Sequence, residues 1–249
     1  MTWSLFYRFD NDVPTDFHEL RQFGSSLWSA NGKVITMGHS MVTEFASPQA
    51  AKDALVQRGK EIEAQGYKRV RQGIHDPARI DFPLLTTEIR EGARRAFQAI
   101  RAAHPDETIR LFALGSDDGA MTIVHAAGNL ALSALGDMDD ESEVWHFAEW
   151  PYEEGGEFLD IAYRMILACH RSDLPCDVEF DVLHAGLFEA CIAAMEQLDR
   201  EGFFGTGEAR EEVVLLCQSE GTEDMEGSIG RLNTSRVVSR LERWIKLCE

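Results

Sequence analysis

Near the start of the chain, apolar and polar residues alternate. The stretch from Trp3 to Phe9 is rich in aromatics, and its period of two predicts a strand with one buried face. Short apolar stretches at Leu27-Trp28, over 33–37 and over 41–45 predict further antiparallel strands. Asn31-Gly32 between them predicts a tight hairpin turn, because both residues tolerate positive φ. The period then changes to 3.6. Ser47 is placed to cap a helix with Pro48 at its first position; Ala51, Ala54, Leu55, Arg58 and Ile62 follow at helical spacing, and Gly66 ends the run. A small antiparallel sheet closed by one helix is expected.

A second amphipathic pattern predicts a helix over 87–103, with Ile89, Ala93, Ala96, Phe97 and Ile100 as its buried stripe and Pro105 beyond its end. Strands at 109–114 and 121–124 flank Gly115-Ser-Asp-Asp-Gly119, where Asp-Gly again predicts a turn. Helices are expected at 129–135, 158–169, 178–198 and 236–247, with a buried strand at 213–217. The segment from Gln72 to Pro83 has two prolines and no apolar period, which places a boundary near residue 75. The expectation is α+β: a first domain over 1–73, and over 84–249 a larger one with helices packed on a mostly antiparallel sheet.

Charge separates the same two parts. The 249 residues carry 24 Lys and Arg against 43 Asp and Glu, a net charge of −19. Residues 1–73 hold nine basic and eight acidic side chains, which leaves 15 and 35 for the remainder. A surface that acidic repels phosphate and attracts basic partners, so generic nucleic-acid binding is disfavoured. No uninterrupted apolar run approaches the roughly 20 residues that span a bilayer, and the first ten residues lack the pattern of a secretory leader. Five cysteines, Cys169, Cys176, Cys191, Cys217 and Cys248, show no CxxC spacing, which argues against a disulfide framework or a zinc ribbon. The expectation is a soluble, cytoplasmic protein with no membrane partner.

Candidate chemistry is thin except in one place. Between residues 137 and 160 there are ten carboxylates and no Lys or Arg. Asp137, Asp139, Asp140, Glu141 and Glu143 open like a calcium loop, but Ser142 replaces the turn glycine and Ala148 the bidentate glutamate. Glu149, Glu153, Glu154 and Glu157 continue the run and alternate with Trp145, Trp150 and Tyr152, residue types favoured at interface centres. These twelve residues form the candidate partner-binding surface, although the aromatics could equally anchor a core. Cys169-His170 does not make an activated thiol, since side chains at i and i+1 on a helix point apart. No HExxH, GxGxxG or GK[ST] pattern occurs, so no catalytic residue, metal ligand or cofactor is expected. Asn233-Thr-Ser precedes the last apolar stripe as an N-cap signal.

Two resemblances follow from these segments. Gly32-Lys-Val-Ile-Thr-Met-Gly38, Thr43-Glu-Phe-Ala-Ser47, a helix with Lys60, and Gly66-Tyr67 resemble the WGR domain over residues 1–70, with Asn31-Gly32-Lys33 where the naming tripeptide stands. Leu111-Phe-Ala-Leu114, Ala148-Glu-Trp-Pro-Tyr152, Glu201-Gly-Phe-Phe-Gly205, Val213-Val-Leu-Leu216 and Arg231-Leu-Asn233 resemble an uncharacterised bacterial family over most of 84–247. Families of that kind look like immunity proteins encoded beside secreted toxins. The resemblance implies a non-enzymatic inhibitor of a basic toxin, such as a nuclease delivered by type VI secretion. The alternative is a nucleic-acid-associated module acting through the WGR-like part and Lys68-Arg-Val-Arg71.

Overall fold

The computed structural model describes residues 1–74, 79–131, 142–218 and 223–248. They fall into two compact units, Met1–Asp81 with Tyr163–Phe180, and Phe82–Ala162 with Asp181–Glu249. The class is α+β, as the sequence periods require.

The first unit holds β1 (Thr2–Asp10), β2 (Val13–Phe23), β3 (Ser26–Lys33), β4 (His39–Glu44), α1 (Pro48–Ala64) and β5 (Lys68–Ile74). Its sheet has the order β4-β3-β2-β1-β5, with every pair antiparallel. The Ser47 hydroxyl accepts a hydrogen bond from Ala50 N–H at 3.1 Å and caps α1, whose Leu55 and Ile62 pack with Phe6, Leu20 and Leu27. Asn31 and Gly32 do not turn; they lie inside β3, opposite His18 and Phe17 of β2. Glycine serves close approach there, since a Cβ at position 32 would sit 3.0 Å from Gly38 Cα. The tight turn belongs instead to Asn11 and Asp12, both at positive φ (48° and 64°), between β1 and β2.

The other face of this sheet, with Trp3, Phe17, Glu19, Arg21 and Trp28, is covered by Tyr163–Phe180, a segment the expected boundary had left with the acidic part. Three buried charges join the layers. Arg21 Nε lies 2.6 Å from Glu19 Oε1, Arg21 Nη2 donates to Arg164 O at 3.2 Å, and Arg164 Nη2 donates to Thr36 O at 2.8 Å. The Arg164 guanidinium sits 3.3 Å over the Phe17 ring. Glu19, Arg21 and Arg164 are 2%, 4% and 1% exposed.

The second unit contains α2 (Phe82–Ala103), β6 (Leu111–Gly115), β7 (Val124–Gly128), α3 (Ser142–Trp145), the start of α4 (Asp160–His170), α5 (Phe180–Arg200), α6 (Glu208–Glu211), β8 (Val214–Gln218), α7 (Glu223–Leu232) and α8 (Ser235–Cys248). Its sheet is mixed, β7-β6-β8, with β6 antiparallel to β7 and parallel to β8. Every residue of β6 and β8 is buried, which is why they read as continuous apolar runs. The strand expected at 121–124 begins at Val124, because Asp117 organises the preceding loop: its carboxylate accepts from Met121 N–H (3.0 Å) and Thr122 Oγ1 (2.6 Å). Of the helix expected at 129–135, residues 129–131 are not helical and the rest lies outside the described residues. Asn233 does not cap α8. Its Oδ1 accepts from Leu215 N–H at 2.8 Å and its Nδ2 donates to Leu215 O at 2.7 Å, so it completes the open edge of β8 as a partner strand would. Among the described residues no helix is long and apolar enough to cross a membrane.

Candidate functional site

The acidic segment is mounted on the core of the second unit. Trp145 and Trp150 are 0% and 4% exposed and pack with Leu111, Ala126, Val214 and Leu216. Two residues on, Tyr152 exchanges backbone hydrogen bonds with Ala127 of β7, at 2.8 and 3.1 Å. Gly155 then crosses α2 at φ 91°, where a Cβ would lie 2.7 Å from Ala96 Cα. Gly92 of α2 meets the next turn, for a Cβ there would lie 2.7 Å from Phe158 O. Between these fixed points Glu149, Glu153 and Glu154 are exposed and Glu157 is half-buried.

A polar cluster ties this loop to the end of α2. His104 Nε2 lies 2.8 Å from Glu154 Oε1, and the His104 and Tyr152 rings stack with centroids 4.1 Å apart. The Tyr152 hydroxyl and Asn129 Nδ2 both donate to Glu107 Oε2. His125 Nε2 is 2.9 Å from the carbonyl of Glu154; a carbonyl only accepts, so this nitrogen carries the hydrogen. The Glu107 carboxylate, which accepts the phenolic hydrogen, raises the Tyr152 pKa to about 12, with burial adding to it. Burial pushes the Glu154 carboxyl upward, but the His104 bond and local backbone N–H groups outweigh it and leave the group lowered. Burial dominates at His125 and lowers it, against the pull of the Glu154 carbonyl and the charges of Glu153, Glu157 and Glu154. A phenol that high and a carboxyl that low are poor proton donors near neutrality. The cluster holds the loop in place.

Of the twelve sequence-derived residues, Asp137, Asp139, Asp140 and Glu141 lie outside the described residues, as does the side chain of Glu143. Trp145, Trp150 and Tyr152 are corrected from interface anchors to core, since the exposure of Tyr152 is only 8% and the indoles are more buried still. Asp160, the last acid of the run, is fully buried at the start of α4. Sequence reasoning missed His104, Glu107, His125 and Asn129, which come from well-separated positions and match no spacing motif. Beside Glu107, an open cleft of about 580 Å³ is walled by Arg101, Arg110, Phe203, Phe204 and Glu212. Phe204 packs onto Phe97 and Phe112 there, so Gly202 and Gly205 end a helix and turn the chain back to the core. Among the described residues no three His, Cys, Asp or Glu converge as a metal site would require.

Residues 89–234, more than half of the chain, match the family described as a domain of unknown function, DUF4303. The chain belongs to the DUF4303 family. The DUF4303 stretch includes the acidic loop, the polar cluster and Tyr163–Phe180, and it ends just past Asn233. No protein of curated function matches the chain. A crystal structure of a protein from Bacteroides fragilis is similar over 28% of this chain, at 23% identity and a TM-score of 0.26; the match spans 19% of that protein's length.

Proposed function

We propose that this DUF4303 protein is a bacterial immunity protein that binds a basic antibacterial toxin, of the nuclease class delivered by type VI secretion, and blocks it by contact. The observation that carries this reading is the exposed, core-mounted loop bearing Glu149, Glu153, Glu154 and Glu157, in a stretch with no Lys or Arg from 137 to 160. A nuclease is basic where it holds phosphate. A fixed row of carboxylates competes for that surface and accelerates encounter by electrostatic steering. Fixed charge matters because an ordered loop loses little conformational entropy when it docks. With Trp145, Trp150 and Tyr152 committed to the core, the charges do the recognising and the aromatics hold them in place.

The test is a tagged pull-down from the native host at low and high salt. A basic, stoichiometric partner whose nuclease activity returns when the bait is denatured is the expected result. Replacing Glu149, Glu153 and Glu157 by Lys should slow its association by about tenfold or more and flatten the salt dependence. An unchanged on-rate removes the loop from the mechanism. Nucleic acid in place of protein on the bait, lost at high salt, would overturn the immunity reading in favour of the WGR-like module expected over residues 1–70.

A further inference from the structure

Two cysteines whose spacing fits no motif meet in space. Cys169 lies in the last turn of α4 and Cys176 follows in the loop after it, and both line a cavity of about 40 Å³ in the first unit together with Trp3, Arg21 and Met165. The segment between them is held at several points. The Asp173 carboxylate accepts hydrogen bonds from Trp28 Nε1 at 2.9 Å, from Ser40 Oγ at 3.1 Å and from Arg171 Nε at 2.9 Å. Leu174 is buried, and Cys176 N–H donates to Leu174 O at 2.9 Å in a three-residue turn. A loop pinned to β3 and β4 in this way keeps the two thiols on the wall of the same small cavity, where each shifts the ionisation of the other.

The two thiols are not equivalent. Cys176 Sγ accepts the Cys169 thiol hydrogen, accepts Val178 N–H as well, and feels the positive charge of Arg21. Together these bring Cys176 down to about 7, against burial and the nearby Asp177. Cys169 is pushed far up, first by its bond to Cys176 and then by burial. Its sulfur has one further acceptor, Met165 O at 3.8 Å. Of the two, Cys176 is therefore the thiol that ionises first, and Cys169 keeps its proton.

We propose that Cys169 and Cys176 form a peroxide-sensitive dithiol, a modification site at which hydrogen peroxide drives reversible disulfide formation. The Cys176 thiolate attacks one peroxide oxygen. The S–O bond forms as the O–O bond breaks, and the departing hydroxide takes a proton to become water, so sulfur is oxidised to the sulfenic acid and peroxide is reduced. The Cys169 sulfur then displaces the new hydroxyl. An S–S bond replaces S–O, and the Cys169 proton leaves with the hydroxide as a second water. The space beside the pair is enough for a water-sized molecule and so admits peroxide. Both cysteines are partly accessible, whereas Cys191 and Cys217 are about 1% exposed and serve as internal controls.

The full-length chain is treated with limiting peroxide at pH 7 and its cysteine peptides are mapped by mass spectrometry without reduction. The expected first product is a link between Cys169 and Cys176, reversed by dithiothreitol. Alkylation of Cys176 should be half-maximal near pH 7. At that pH its thiolate fraction is roughly fifteen times that of an ordinary cysteine. Lower nucleophilicity offsets about fivefold, so a rate about threefold above a free thiol is expected. In Cys169→Ser the sulfenic acid should persist on Cys176 and be trapped by a dione probe, and in Cys176→Ser position 169 should stay reduced. A first disulfide through Cys191, Cys217 or Cys248, or an alkylation profile centred near the usual thiol value of about 8.5, overturns the proposal. If a serine variant fails to fold, the wild-type map and pH profile decide alone.

Discussion

The two units place charge on opposite sides of their cores. In the first, Glu19, Arg21 and Arg164 are buried between the sheet and Tyr163–Phe180, and each is fixed by short, directional contacts. In the second, the layer beneath the acidic loop is apolar and aromatic, and Glu149, Glu153 and Glu154 face outward, while Asp160 at the end of the run is buried. Inward charge is costly to desolvate and makes a poor source of net stability, but it accepts few alternative geometries. It therefore sets how the distant segment seats on the sheet. Outward charge contributes little to stability and is free to meet a partner.

The contrast breaks most sharply under one chemical change made in both places. Glu19→Gln leaves Arg21 in the core without the carboxylate it meets at 2.6 Å, and a loss of about 3–5 kcal/mol is expected in urea denaturation. Glu153→Gln should change stability by no more than about 0.5 kcal/mol. Equal effects would remove the distinction. Next in size is the mount of the outward charges. Gly155→Ala sets a Cβ against Ala96 at a φ of 91°, which should cost about 1–3 kcal/mol. The same variant should slow association with the proposed basic partner although every carboxylate is still present. Normal association kinetics would show that the loop need not be held rigidly.

What the sequence made legible was local. The cap and first turn at Ser47-Pro48, the stripe of α2 and the apolar run of β8 depend on neighbours a few residues away, and they stand where the periods placed them. β2 was hidden because Glu19 and Arg21 put charge on a buried face, inverting the pattern that marks a strand. Asn31-Gly32 misled because a close approach and a hairpin both select glycine. Tyr163–Phe180 could not be assigned to the first unit by composition, since the contacts that place it there run to residues more than a hundred positions away. In the acidic run, residue type did not separate the buried indoles from the exposed carboxylates. The cysteine pair escaped because its seven-residue spacing becomes proximity only after the Asp173 loop folds back.

The smallest expected effect asks whether the outward charges are felt inside. His125 is buried beneath the loop, donates from Nε2 to Glu154 O, and is held below its usual 6.5 by burial. Its unfolded form therefore binds a proton that its folded form resists. The stabilisation is complete above pH 6.5 and is lost as pH falls through the lowered value. The urea midpoint should decline on acidification below pH 6.5. His125→Gln, which keeps an N–H donor, should remove part of that slope. His18 of the first unit, also lowered chiefly by burial and then by Arg58 and Arg8, should account for another part. Glu153 and Glu157 pull His125 upward. Replacing both by Gln should lower it further and extend the loss of stability to more acidic pH, a shift that NMR titration of the His125 ring resolves directly. If the ring titrates at the same pH in that variant, the carboxylates are screened from the core. The outward charge would then act only at the surface that carries it.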